Sequence, residues 1–311
     1  MNVHLDLTSY SAIKPVVTIG MFDGVHSGHR SVLEYVKSRA VSLGGQSTVL
    51  TFLPHPRICF EGRTTKLRYL TTLEEKSHLI AGCGIDHLVI KAFTLEFAKL
   101  SPEEYVRSVL VDGLGVHSVI VGYDHNFGHR GAGNFDLLNE FGAKYGFSVE
   151  PLPALSAHGT NISSTKVRDA ISTGNLDLAN NLLGYRYLLS GVVTDGKKLG
   201  RTIGFPTANI AISDTLKLIP NNGVYIVTST FNGHQYQGVM NIGVNPTVGN
   251  DGAQTVEVFF FSFSGNLYGE NLTIQVLRKI RDEFKFASLD DLKAQIARDV
   301  EVAMQYFVDS Q

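Results

Sequence analysis

The text of this chain changes period near Gly184, and that change constrains its fold more than any single motif. From residue 16 to about residue 150, short apolar runs alternate with helix-length amphipathic segments. The runs are Val16 to Gly20, Ser47 to Phe52, His87 to Lys91, Ser118 to Gly122 and Phe147 to Glu150. Between them lie helical patterns, the first over Ser31 to Leu43. Two carry start signals: Thr72 with Glu75 three residues on, and Ser101 followed by Pro102 and Glu104. Such alternation predicts an α/β layer, a parallel sheet with helices on both faces, whose ligands gather at the carboxyl ends of the strands. The loops Thr51 to Pro56 and Val121 to Asp124 would meet there with the turn that follows the first strand.

Pro151 to Thr160, with two prolines and small polar residues, reads as a connection, and Asp169 to Leu183 as helix. Beyond Gly184 the runs Tyr187 to Thr194, Val224 to Phe231, Tyr236 to Ile242, Thr255 to Phe263 and Leu272 to Leu277 are β-like, and Asn232-Gly233 is a hairpin signal. They predict an antiparallel sheet or barrel, followed by a helix over Ser288 to Phe307 with apolar residues at helical spacing. The expected division is residues 1–184 and 185–311. At 311 residues each part is large enough to bury a core.

A net charge of −2 without a long basic run gives no electrostatic support for nucleic acid as a partner. No leader pattern opens the chain, no long uncharged apolar run suggests a membrane, and Cys59 and Cys83 lack a CxxC partner. A soluble cytoplasmic protein is expected.

The run from Val16 to Ile19 ends in Gly20-Met21-Phe22-Asp23-Gly24-Val25-His26-Ser27-Gly28-His29, which places two histidines at a helix start. Unpaired backbone N–H groups and the positive dipole end make such a start an anion site, with imidazoles as added donors. Phosphate binding is the reading favoured by the glycine context; a metal site and a purely structural role for the pair remain alternatives. Ser163-Ser164-Thr165-Lys166-Val167-Arg168 sets three hydroxyls before two cations, and reads either as a simple cap or as a second phosphate-binding group. Gly191 to Lys198 nearly spells a P-loop, but Lys198 stands where Ser or Thr is needed and β-like text follows, so that reading is rejected. Asn161-Ile162-Ser163 is a glycosylation sequon in spelling only.

These motifs, with Phe52-Leu53-Pro54-His55-Pro56 and Val121-Gly122-Tyr123-Asp124, resemble the adenylyltransferase half of bacterial bifunctional riboflavin kinase/FMN adenylyltransferases. Gly200-Arg201-Thr202-Ile203-Gly204-Phe205-Pro206-Thr207-Ala208-Asn209 resembles the kinase signature. Asn241 to Thr247, Val256-Glu257-Val258 and Arg278 to Arg281 follow in the family's order. The resemblance implies a Rossmann-like nucleotidyltransferase domain and a riboflavin kinase barrel. It further implies ATP, riboflavin and FMN as substrates, FAD as product and Mg2+ as cofactor.

By resemblance His26, His29, Ser164 and Arg168 serve adenylyl transfer, and Glu257 is the base of the kinase. Gly20, Phe22, Asp23, Gly24, Gly28, Ser163, Thr165, Gly200, Arg201, Gly204, Pro206, Thr207 and Asn209 would face ATP. Phe52, His55, Pro56, Asp124 and Arg281 would face flavin, and Thr207 and Asn209 would hold the metal. From the residues alone, Glu257 reads equally as an outward carboxylate on an alternating strand. Phe259, Ser262 and His125 depart from the family's usual residues. A second reading therefore keeps FAD synthesis and treats the C-terminal module as a weak kinase or a flavin-binding module only.

Overall fold

The computed structural model describes residues 1–152, 162–196, 200, 203–244 and 254–310. Arg201, Asn161, Lys197, Lys198 and Asn245 to Thr247, named above, lie outside the described residues. Two compact units are present: Met1–Leu67 with Leu73–Ser163, and Arg68–Thr72 with Ser164–Gln311.

The first unit holds a six-stranded sheet, β1 (Asn2–His4), β2 (Val16–Ile19), β3 (Ser47–Leu53), β4 (His87–Ala92), β5 (Ser118–Val121) and β6 (Ser148–Pro151), in the order β1-β4-β3-β2-β5-β6. Every pairing is parallel. All four residues of β2 and of β5 are buried, which is why these strands read as unbroken apolar runs: helices cover both faces. β1 carries no such run and is recruited to the edge by its parallel bonds to β4. Because the winding turns outward in both directions from β2, the crevice beyond its carboxyl end, between β3 and β5, is the switch point where ligands of such sheets bind.

Helix α1 (Ser27–Ser42) follows β2 and begins four residues before the expected start, because His26 supplies its cap. Next come α2 (Pro56–Glu61), α3 (Leu73–Gly82), α4 (Pro102–Tyr105), which runs on into a π-helical turn Val106–Val111, and α5 (Phe135–Tyr145). At α4 the expected signals are all used: Ser101 and Glu104 form a reciprocal capping box and Pro102 opens the helix.

The second unit is a closed antiparallel barrel of β7 (Tyr187–Thr194), β8 (Ala208–Ala211), β9 (Gly223–Phe231), β10 (His234–Val244), β11 (Gln254–Phe260) and β12 (Asn271–Arg281), in the order β10-β11-β8-β7-β12-β9. β8, absent from the sequence reading, is four residues long and carries the Ala208-Asn209 end of the kinase signature. The single expected helix over 169–183 is instead α6 (Ser164–Ser172) and α7 (Leu176–Leu183), broken at Gly174, whose φ of +78° ends the first. Val167, Ile171, Leu176 and Leu183 from these helices share one core with Tyr187, Tyr225, Met240 and Val276 of the barrel. A final helix, α8 (Leu289–Asp309), is capped by Ser288.

α7 is fastened by a buried asparagine. The pairing of β12 with β9 shifts at Leu277, leaving an extra residue in β12. Asn180 Nδ2 donates to the carbonyls of Val276 (3.1 Å) and Leu277 (2.9 Å), while its Oδ1 accepts from the Tyr187 N–H (2.8 Å). Two backbone carbonyls and one backbone N–H are thereby bonded to a single buried amide. Asn180→Ala is expected to destabilise the second unit by about 3 kcal/mol, since it strands them in a dry core. Chemical denaturation followed by tyrosine fluorescence reads this; a loss below about 1 kcal/mol would show that water replaces the amide.

Candidate functional site

β2 ends at Ile19 and α1 starts at Ser27, so seven residues must reverse the chain and cap a helix. They do so under strain. Phe22 and Val25, both buried, sit at φ +47° and +34°, and Gly24 at +79°. A β-branched valine in that region is an outlier which the surroundings must enforce. Gly20 is needed because a Cβ there would stand 3.0 Å from the Phe22 ring.

His26 then caps α1: its Nδ1 accepts from the His29 N–H at 3.3 Å. An accepting Nδ1 carries no proton, so neutral His26 holds its proton on Nε2 and presents a donor. The His29 ring stacks on it with centroids 3.6 Å apart and planes 13° from parallel, and the Phe22 edge meets His29 on the other side. Burial, then the neighbouring His26 and Lys76, push the pKa of His29 well below the usual histidine value. His29 Nδ1 is buried and has no hydrogen-bond partner among the described residues. A desolvated ring nitrogen left without a bond fits a position completed by a ligand.

Sequence reasoning passed over Lys76. It lies in α3, a segment that spells as a surface helix, yet it is 3% exposed. Its Nζ donates to the Met21 carbonyl at 2.9 Å, and Thr51 Oγ1 reaches the same oxygen at 3.2 Å. Burial lowers its pKa and the Asp23 carboxylate opposes that shift, so a buried cation pins the strained turn from behind. Only tertiary placement distinguishes such a lysine from a solvated one.

The other loops of this unit follow β3 and β5, the neighbours of β2. His55 repeats the device seen at His26: its Nδ1 accepts from the Arg57 N–H at 3.0 Å as it caps α2, with Pro56 at the first helical position. Phe52 joins an aromatic group with Phe93 and Phe97. Asp124 is exposed, and its Oδ1 would lie 2.6 Å from a Cβ at Gly122, so the glycine admits the carboxylate. His125 is held below the usual histidine pKa by burial.

Ser163 ends the first unit, and Ser164, Thr165 and Arg168 open α6 in the second. Arg168 Nε donates to the Arg68 carbonyl at 2.8 Å.

In the barrel, Thr207, Glu257, Phe205, Phe259, Arg281 and Phe284 line a cavity of about 350 Å³. Glu257 stands in register between Asn209 of β8 and Asn241 of β10, and accepts from Thr207 Oγ1 at 3.2 Å. Along β11 Glu257 alternates with Val256 and Val258 of the barrel core, so it stands on the barrel's outer face, where it lines the cavity. Thr207 and Pro206 also border a second cavity of about 90 Å³ with Asn266 and Tyr268. Upstream, Gly200 and Gly204 shape the loop: the Gly200 carbonyl accepts from the Phe205 N–H at 2.8 Å, and Gly204 has φ +90°. The glycines of the P-loop-like spelling have a packing reason. A Cβ at Gly191 would fall 2.5 Å from the Ala211 carbonyl, and one at Gly196 would fall 2.1 Å from Asn209 Nδ2.

Arg281 lines the larger cavity but its guanidinium is committed. Nε and Nη2 grip Asp299 of α8 at 2.7–3.1 Å, and the planar face lies over Phe284 with 4.6 Å to the ring centroid. Asp299, 3% exposed and further held by Gln295 Nε2, gave no signal in the sequence beyond its helical spacing. Phe259 sets its edge against Phe205 at 5.3 Å, forming an apolar wall. Ser262 is exposed in the turn after β11, with φ +53°.

Known proteins resemble the chain along nearly its whole length. A family described as FAD synthetase matches residues 9–166, and one described as riboflavin kinase matches residues 183–307. A bifunctional riboflavin kinase/FMN adenylyltransferase of Pseudomonas fluorescens is 41% identical over 288 residues, 93% of this chain and 91% of that one. One from Listeria monocytogenes is 39% identical over 298 residues, 96% and 94% of the two chains. A crystal structure described as a macrolide-efflux protein from Streptococcus pneumoniae superposes with a TM-score of 0.85 at 29% identity, covering 97% of this chain and 98% of that one. Among the described residues no helix of this chain is long and apolar enough to cross a membrane.

The depressed pKa of His29 has a consequence for stability. Unfolding restores an ordinary histidine near pH 6.5, so below that pH the unfolded chain binds a proton which the folded chain refuses. The contribution is complete above about pH 6.5 and is lost as pH falls. His87 and His125, also lowered by burial, act in the same sense. Denaturation midpoints measured from pH 7.5 to 5 should decline, and His29→Gln should decline less steeply; parallel curves would mean that His29 titrates normally.

Proposed function

We propose residue roles from one premise: the chain belongs to the bifunctional riboflavin kinase/FMN adenylyltransferase family. It is a transferase with two ATP-dependent activities, riboflavin to FMN and FMN to FAD. The reading of a C-terminal module that only binds flavin gives way to the one in which both halves are enzymes. The observation that carries the kinase assignment is the Thr207–Glu257 hydrogen bond at the edge of an aromatic-walled cavity of about 350 Å³, with Asn209 in register beside Glu257.

In the kinase half, the ribityl hydroxyl loses its proton to the Glu257 carboxylate as its oxygen bonds to the γ-phosphorus of ATP, and ADP leaves with the electrons of the broken P–O bond. Thr207, donating to Glu257, fixes the carboxylate. Phe205, Phe259 and Phe284 offer apolar faces and edges to the flavin ring, with Arg281 holding that wall in place. Thr207 and Asn209 offer side-chain oxygens of the kind a hard cation takes; they would hold Mg2+, which would neutralise phosphate charge. Arg201, Gly200, Gly204 and Pro206 belong to the loop assigned to ATP.

For adenylyl transfer, the FMN phosphate is already an anion, attacks the α-phosphorus of ATP and expels pyrophosphate, so no base is required. His26 Nε2–H and the first N–H groups of α1 donate to phosphate oxygens, with Gly24 and Gly28 admitting the nucleotide to the backbone. His29 serves as a neutral partner, and Asp23 holds the charge of Lys76 beside the turn. Ser163, Ser164, Thr165 and Arg168 serve the same reaction, Arg168 by meeting charge on the leaving pyrophosphate. Phe52, His55, Pro56 and Asp124 are assigned to the flavin or adenosine. The motif resemblance supports these roles.

The functional boundary is placed at residues 184 and 185, although α6 and α7 pack with the barrel. Small molecules are the only partners assigned, with no nucleic acid and no membrane. The cytoplasm, where ATP is supplied and Cys59 and Cys83 stay as thiols, is the proposed location.

Purified protein incubated with riboflavin, ATP and Mg2+ and resolved by chromatography should yield FMN, then FAD. His29→Ala should cut FAD formation at least tenfold and leave FMN formation near wild type, whereas Glu257→Gln should do the reverse when FMN is supplied. Equal losses of both activities in either variant would defeat the assignment of separate sites. Gly196→Ala, which pushes the Asn209 amide aside, is expected to lower kinase kcat by about tenfold with FAD formation from FMN unchanged. A kinase at full rate would remove Asn209 from the site.

A further inference from the structure

Residues Arg68–Thr72 leave the unit that contains their sequence neighbours and belong to the barrel unit. Their backbone is tied down there by an isolated β-bridge. The Tyr69 N–H donates to the Leu216 carbonyl and the Leu218 N–H to the Tyr69 carbonyl, both at 2.7 Å, in a parallel bridge between Tyr69 and Lys217. Leu70 is fully buried in the barrel core. Lys217 closes the arrangement. It is 3% exposed, its Nζ donates to the Leu70 carbonyl at 2.6 Å, and the ammonium lies 4.5 Å from the centroid of the Tyr187 ring. Tyr187 in turn donates its hydroxyl to the Leu218 carbonyl at 2.7 Å, so both ends of the 217 segment are fixed by one aromatic residue.

The five-residue strap ends where chemistry has been assigned: the Arg68 carbonyl, its first residue, accepts from Arg168 Nε at 2.8 Å. A guanidinium bonded through Nε has its plane and the direction of its terminal nitrogens set by that acceptor. The position of the Arg68 carbonyl is therefore the position of the arginine fork, and Lys217 fixes the strap two residues along.

We propose that Lys217, in the kinase half of the sequence, is a positioning residue for adenylyl transfer, acting through the strap and its Arg68 carbonyl on Arg168. The proposal rests on the reading that Arg168 serves that reaction. A buried ammonium is an expensive way to hold a strap that the Leu70 side chain already anchors. Its particular contribution is directional: a charge-assisted bond to one backbone carbonyl.

The test uses the full chain with Lys217→Met, which keeps the apolar stem and removes the ammonium. Rates of FMN formation from riboflavin and of FAD formation from supplied FMN are measured on the same sample. FAD formation should fall about tenfold in kcat, with KM for FMN and ATP within about twofold, because a misdirected fork loses transition-state contact more than ground-state binding. FMN formation should stay within about twofold of wild type. Combining Lys217→Met with Arg168→Ala should add less than twofold to the loss caused by Arg168→Ala alone.

Unchanged FAD formation, or an equal fall in both activities, overturns the proposal. So does an additive double variant. Should Lys217→Met not fold, Lys217→Arg keeps the charge but changes the reach, and must still lower FAD formation selectively. Arg168→Ala separates the two levels of inference. If it leaves FAD formation intact, the reading of Arg168 itself fails; if it abolishes FAD formation while Lys217→Met does not reduce it, only the role of Lys217 fails.

Discussion

A ring nitrogen on His26 accepts the amide proton of the residue three positions on, and much of the turn between β2 and α1 follows from that bond. It starts α1 four residues early, fixes the imidazole as a cap, and leaves the proton of the neutral ring on Nε2. The stacked position of His29 follows, because the turn that delivers the cap also delivers the next helical face. Two imidazoles 3.6 Å apart cannot both be charged without mutual repulsion, which joins burial in keeping His29 neutral.

The irregular segments of both units are held by buried polar side chains that donate to main-chain carbonyls. Lys76 does this for the turn at Met21, Lys217 for the strap at Leu70 and Asn180 for the bulge at Leu277. Regular elements satisfy their own backbone, and these segments cannot. Each donor therefore sits where a ladder or helix is interrupted, and two of the three interruptions adjoin residues assigned to chemistry. Arg281 and Asp299 do the corresponding task for side chains, fixing α8 against the mouth of the barrel cavity by a pair that is nearly dry at the carboxylate.

Much of this was legible in the sequence, for reasons that differ by element. The parallel strands announced themselves because full burial writes apolar runs, and α4 because its cap, proline and box carboxylate are local. Strand β8 did not: four residues with Asn209 in their midst have no periodicity to read. The break between α6 and α7 depends on one positive φ at Gly174, which a glycine permits without requiring. The motif histidines could be named from spacing, but not their tautomers, which follow from a bond to a helix whose start was misplaced. Lys76, Lys217 and Asp299 were invisible for one shared reason. A charged residue on an amphipathic stretch is spelled the same whether it meets water or a carbonyl.

The excursion of residues 68–72 also bears on the order in which the chain can become itself. Leu70 leaves the ribosome early, yet the strands it packs with, through Val276, are among the last to be made. Roughly 200 residues of synthesis separate them, on the order of 10 to 40 s at ordinary elongation rates. During that interval an apolar strap and, later, the inner faces of α6 and α7 wait without the core they were shaped for. The nascent protein thus passes through a stage in which its sheet can be complete while one of its own loops is still reserved for a partner not yet written.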